Sequence, residues 1–114
     1  MFDFEKLDLY QELKKLNFVV FKKVRAMTDL DSYIVEQWKR ASLNSVLNLA
    51  EGTGRMTPED KKHFYTIARG NVFECAALLE VIFALGALSK EDYEALYDGY
   101  EKASKMLLGM YRSQ

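Results

Sequence analysis

The chain has 114 residues, a formal net charge of −1 and 49% hydrophobic residues. That length suits one domain, residues 1–114, and that apolar content excludes intrinsic disorder. The near-neutral, well-mixed charge excludes the strongly basic balance of a dedicated nucleic-acid binder, and the lone Cys75 excludes an internal disulfide, which fits a reducing compartment.

Hydrophobic periodicity predicts four helices, at about 6–27, 33–51, 58–85 and 90–111, and no strand. In the first, Leu9, Leu13, Leu16, Val20, Val24 and Met27 recur at spacings of three and four. Tyr10, Phe18 and Phe21 widen that stripe beyond what one neighbour needs. Asp29–Ser32 supplies turn and N-cap chemistry. In the second helix Ile34, Trp38, Ala41 and Ser45 form one row, and Val35, Ser42, Val46 and Leu49 its neighbour. Gly52 and Gly54 are expected to end it, because glycine accepts the left-handed conformation at a helix C-terminus.

The third helix opens on a distinct signature. Thr57 caps, Pro58 takes the first helical position, and Glu59 and Asp60 face the helix dipole. Its expected stripe is Phe64, Ile67, Ala68, Cys75, Leu78, Leu79, Ile82 and Leu85, with Gly86 as the stop. Gly70 inside it costs about 1 kcal/mol against alanine and suggests a close packing contact. Ser89 opens the fourth helix, with Glu91 and Asp92 in its first turn and a stripe of Tyr93, Leu96, Tyr100, Ala103, Leu107 and Met110. Short turns between amphipathic helices give an all-α, antiparallel up-down-up-down four-helix bundle.

The inventory for catalysis is poor, and no enzyme is expected. Asp60 and His63 have the spacing of a di-iron bundle ligand pair, but such sites need two of these motifs and there is one histidine. No metal or other cofactor is therefore expected. Cys75 among Ala76, Ala77 and Leu78 reads as a small buried hydrophobe. Glu51–Arg55 is glycine-rich but lacks the strand before and the Lys-Ser/Thr after that make a phosphate loop.

Two polar groupings remain. Asn48, Asn71 and Glu74 fall on apolar faces, where an unpaired group costs about 1–3 kcal/mol. They are expected to join Glu51 and Arg55 in a structural hydrogen-bond network near the turn between the second and third helices. Lys39, Arg40, Arg55, Lys61, Lys62 and Arg69 gather around the same junction in sequence and make a candidate nucleic-acid-binding patch. The bland reading of the patch is a solvated helix face.

No apolar run approaches the roughly 18 residues that span a membrane. Met1–Asp8 carries acidic residues where a secretory signal has a basic stretch. A cytoplasmic protein without membrane contact is expected.

The sequence as a whole resembles the intervening-sequence protein family of bacterial 23S ribosomal RNA genes. The resemblance is carried by Phe4–Tyr10, by Gln37–Ser42, by S-V-L-N-L-A-E-G-T-G-R at 45–55, and by F-Y-x-I-A-R-G-N-x-x-E at 64–74, where Asn71 stands in place of serine. It implies a four-helix bundle that assembles as a homopentamer around a central channel. The family is similar in fold to the accessory variability determinant of diversity-generating retroelements, which implies structured RNA or a nucleic-acid enzyme as a partner. Three functions follow for weighing: a nonenzymatic nucleic-acid-associated accessory, a protein-binding adaptor, and a small-molecule or catalytic bundle. Cations gathered on one exposed face favour the first, and cations tied up within the chain favour the second. A closed polar pocket around Asn48, Asn71 and Glu74 favours the third.

Overall fold

The computed structural model describes residues 1–114. A short 3-10 turn, Asp3–Lys6, precedes four helices: α1 Asp8–Val24, α2 Ser32–Thr53, α3 Pro58–Ala84 and α4 Lys90–Arg112. The helix starts follow from their caps. Asp31 accepts from the Tyr33 amide, Thr57 from the Asp60 amide and Ser89 from the Asp92 amide. Pro58 sits where a missing N–H costs nothing.

The chain departs from the expected boundaries at α1. Met27 lies beyond the helix and packs on the core from the connecting turn. At the other end the 3-10 turn is a separate unit. The Phe2 amide donates to Glu5 Oε1 at 2.9 Å, Phe2 stacks on Phe4 with ring centroids 5.6 Å apart, and Phe4 tilts onto Tyr10 at 4.8 Å.

α3 stops as expected at Gly86, whose φ of +80° is the only positive value in the chain. Gly86 N–H reaches the Phe83 carbonyl and Ala87 N–H the Ile82 carbonyl, the paired bonds of a Schellman motif. α2 ends otherwise. Gly52 lies within the helix and Gly54 caps it at φ −87°, so neither glycine is there for left-handed backbone.

The helices form a square. α1 packs on α2 and α4, and α3 packs on α2 and α4, while across the diagonal of α2 and α4 only side chains such as Trp38 and Tyr100 meet. Cross-helix pairs run in opposite directions along every side. Asn17 meets Ser42 and Phe21 meets Lys39; Asn48 meets Asn71 while Thr53 meets Lys61. Glu80 meets Tyr93 and Arg69 meets Ser104; Lys23 meets Asp92 and Glu12 meets Lys102. The body measures 44 × 23 × 21 Å, and the 27 residues of α3 at about 1.5 Å each account for its length.

The core is one cluster: Leu9, Leu13, Leu16 and Val20 of α1; Trp38, Ala41, Val46 and Leu49 of α2; Leu96, Tyr100, Ala103 and Leu107 of α4; and a row of α3. On α3 the buried row is Tyr65, Ala68, Val72, Cys75, Leu79 and Ile82, alternating three and four apart. That corrects the expected stripe. Ile67 and Leu85 are exposed, and Phe64 and Leu78 are half-buried. Ala68, Cys75, Leu79 and Ile82 of the expected stripe are buried; apolar residues nearly encircle α3, so periodicity alone mixes two rows, and packing against both neighbours separates them.

Candidate functional site

The six cations do not form one patch. Lys39 and Arg40 sit in the middle of α2, roughly 20 Å along the helix from Arg55 at 1.5 Å per residue. Lys39 pairs with Glu36 at 3.3 Å and lies over the Phe21 ring. Arg40 is exposed and makes no contact of this kind.

The other four are committed to their own chain. Arg55 pairs with Glu51, one helical turn before it, and stacks on Phe64 with its guanidinium carbon 4.4 Å from the ring centroid. Lys61 donates to the Thr53 carbonyl at 2.9 Å and so satisfies one of the open carbonyls at the end of α2. Lys62 stands over the Tyr111 ring at 5.3 Å. Arg69 donates through Nε to the Ser104 carbonyl at 3.2 Å and covers the Phe73 ring at 4.7 Å. Cation–aromatic contacts of this kind contribute about 0.5–1 kcal/mol each at exposed sites.

The expected polar network splits. Asn48 and Asn71 meet through their side-chain amides at 2.9 Å. The Asn71 atom turned to Asn48 also faces the carbonyls of Asn44 at 3.3 Å and Ile67 at 3.2 Å. In one orientation the Asn71 amide oxygen accepts from Asn48 Nδ2, and in the other its nitrogen donates to the two carbonyls. Asn71 is 9% exposed, so this bond ties α2 to α3 in a nearly dry place. Arg55 and Glu51 form their own exposed pair. Glu74 is exposed on the outer side of α3 and joins neither group, a correction to the expected network. Asn48 is half-buried and Asn71 buried, and no closed pocket surrounds them with Glu74.

His63 is exposed and edge-on to Phe64. No three His, Cys, Asp or Glu side chains converge. Cys75 is buried against Tyr100, and burial pushes its thiol up to about 12, which leaves it protonated and unreactive at neutral pH.

The sequence reading missed a groove. Between α3 and α4, Tyr65, Arg69, Gly70, Phe73, Leu108 and Tyr111 line a cavity of about 430 Å³. Phe73 is 53% exposed. A Cβ placed on Gly70 would meet nothing within 4 Å, so the close contact expected of that glycine is not made within the chain. The available signal was Phe73 itself, an aromatic residue outside the expected stripe yet one turn from Gly70 and Arg69.

The groove is part of a larger outer face. Ile67, Gly70, Phe73, Ala77, Val81 and Ala84 all point away from the core, with Glu74 and Glu80 the charged members among them. A helix with an apolar outer face has a surface still to cover.

No helix is long and apolar enough to cross a membrane. No curated protein matches the chain. Among solved structures it is similar to a protein of unknown function from the S23 ribosomal protein family of Bacteroides thetaiotaomicron. The two are 15% identical, with a TM-score of 0.83 over 90% of this chain and 97% of that one. That likeness establishes the fold. Residues 5–109 match the family described as 23S rRNA-intervening sequence protein, and the chain belongs to that family.

Proposed function

We propose that the protein is a nonenzymatic, homo-oligomeric four-helix-bundle scaffold, a pentamer by its family resemblance, that works through protein–protein contacts. The outward apolar face of α3 carries this reading. Ile67, Phe73 and Val81 on α3, and Leu85 just past its end, are each at least 36% exposed. Contiguous exposed apolar surface of this kind marks interaction sites. The commitment of Lys39, Arg55, Lys61, Lys62 and Arg69 to partners in the same chain weighs toward an adaptor and away from a phosphate-binding patch. Sedimentation velocity at micromolar concentration tests the reading. A species near five times the 13.2 kDa protomer supports it, and a monomer at all concentrations overturns it.

A second reading, binding of structured RNA or of an enzyme that acts on nucleic acid, rests on the exposed Arg40 and on the repetition of each cation by ring symmetry. Two phosphate contacts per subunit would give a ring about ten, enough for steep salt dependence. Fluorescence anisotropy against a structured RNA over a salt series decides it. Affinity lost in Arg40→Ala/Arg55→Ala supports RNA binding, and no binding at low salt removes it.

A further inference from the structure

We propose that copies of the chain pair head to tail, with Met1–Glu5 of one protomer seated in the α3–α4 groove of the next. This rests on the homo-oligomeric reading above and names the contact that would build it.

The groove is shaped for an occupant that its own chain does not supply. Gly70 lowers the helix propensity of α3, and nothing within 4 Å of its missing Cβ requires a glycine. Its absent side chain leaves apolar space between Phe73 and Leu108 open to water. Both cations at the groove have unused donors. Arg69 spends only Nε on Ser104 and keeps the rest of its guanidinium, and Lys62 lies over Tyr111 without a carboxylate.

The complementary surface is the 3-10 turn. Met1 is 90% and Phe2 71% exposed. Phe2 is nevertheless fixed, by its amide bond to Glu5 and by its stack on Phe4, so docking it loses little conformational freedom. Asp3 and Glu5 flank the aromatic knob. Asp3 has only Lys6 nearby, at 4.0 Å and exposed, and Glu5 retains its second carboxylate oxygen. An apolar knob edged with carboxylates therefore matches an apolar groove edged with Arg69 and Lys62.

The two surfaces do not overlap, so one copy can engage a different neighbour through each. The 3-10 turn packs only on α1 and α2, whereas the groove lies between α3 and α4, the opposite side of the square. Both lie at the end of the bundle where α1 and α3 begin and α2 and α4 finish. The contact is heterologous, and the rotation it imposes between copies decides whether it closes a ring or extends a filament.

Disulfide trapping on the full chain tests the contact. Cys75 is buried and its thiol held protonated, so it stays silent. Under mild oxidation, Phe2→Cys mixed with Phe73→Cys is expected to give a covalent dimer that neither variant gives alone. The doubly substituted chain is expected to give a ladder of covalent oligomers. Wild-type chain that assembles while the mixture fails to cross-link overturns this contact and leaves the homo-oligomeric reading standing. Wild-type chain that stays monomeric overturns both. Gly70→Leu supplies an independent check, since a Cβ there meets nothing within 4 Å and the longer side chain would enter the groove. It is expected to keep the helical circular dichroism spectrum of the protomer, with a melting temperature no lower, while shifting the sedimenting species to lower mass. Unchanged mass overturns the proposal.

Discussion

The Tyr65 ring occupies the space that a side chain at position 52 would need: a Cβ on Gly52 would stand 2.7 Å from Tyr65 Cε1 and 3.1 Å from Phe64 Cβ. Tyr65 is 2% exposed and cannot swing away. Gly52 is thus a packing residue that lets α3 lie close to the last turns of α2. Gly52→Ala is expected to cost about 1–3 kcal/mol in overpacking, offset by roughly 1 kcal/mol of helix propensity. The net loss is read as a melting temperature several degrees lower. Gly54→Ala, whose Cβ would meet only the Glu51 carbonyl at 3.5 Å, is the control and is expected to be near neutral. Equal melting temperatures for the two variants would sink the packing assignment.

The amide pair of Asn48 and Asn71 ties α2 to α3 on the same side of the bundle. Replacing Asn71 with alanine leaves the Asn44 and Ile67 carbonyls without the amide that faces them. The expected loss is about 1–2 kcal/mol by urea denaturation. A double-mutant cycle with Asn48→Ala isolates the bond itself, with a coupling of about 0.5–1.5 kcal/mol expected. Additive single effects would mean that each amide serves the backbone separately. Glu74→Ala, on the exposed side, is expected to leave stability unchanged.

The same residues mark where the sequence was legible. The caps at Thr57 and Ser89 and the stop at Gly86 are local chemistry, and a one-dimensional reading finds them. Gly52 is not local. A glycine beside Gly54 looks like a helix end, and only the approach of Tyr65 from the next helix reveals its other role. The six cations illustrate the same limit. Arg40 and Arg55 are close in sequence, but a helix between them sets them about 20 Å apart. The groove at Gly70 depends on how α4 settles against α3, which no spacing on either helix specifies.

Lys23 joins α1 to α4 by donating to Asp92. That bond, aided by the charge of Lys23 and a hydrogen bond from Ser89, holds the Asp92 carboxyl below its usual 3.8 against some desolvation. The unfolded chain therefore binds the proton more readily than the folded one. The stabilisation is present above about pH 4 and is lost as pH falls through the lower folded value. The pair is partly exposed, so the effect is small. Asp92→Asn is expected to melt below wild type at pH 6, with the gap closing as pH falls toward 3. A gap that stays constant with pH would show that the ion pair contributes nothing.

Behind the groove, the core holds a second testable feature. The Tyr100 hydroxyl and Trp38 Nε1 are both buried, and neither makes a well-directed hydrogen bond. Burial, with Cys75 beside it, pushes the hydroxyl's pKa well up, and the neighbouring Trp38 N–H opposes that shift. Removing an unsatisfied group of this kind costs little, so Tyr100→Phe is expected to be neutral or to add up to about 1 kcal/mol of stability. Trp38 is the single tryptophan, and loss of the neighbouring phenol oxygen should shift its emission while the fold is kept. Cys75 supplies the matching kinetic measurement. Burial pushes its thiol well up, so little thiolate is present at pH 8, and the sulfur is out of solvent besides. Labelling by a disulfide reagent is therefore expected to be negligible in the native protein and to rise with urea in step with global unfolding. Rapid native labelling would mean that α3 opens locally beside Cys75, which would also place the outer face of that helix among the mobile parts of the bundle.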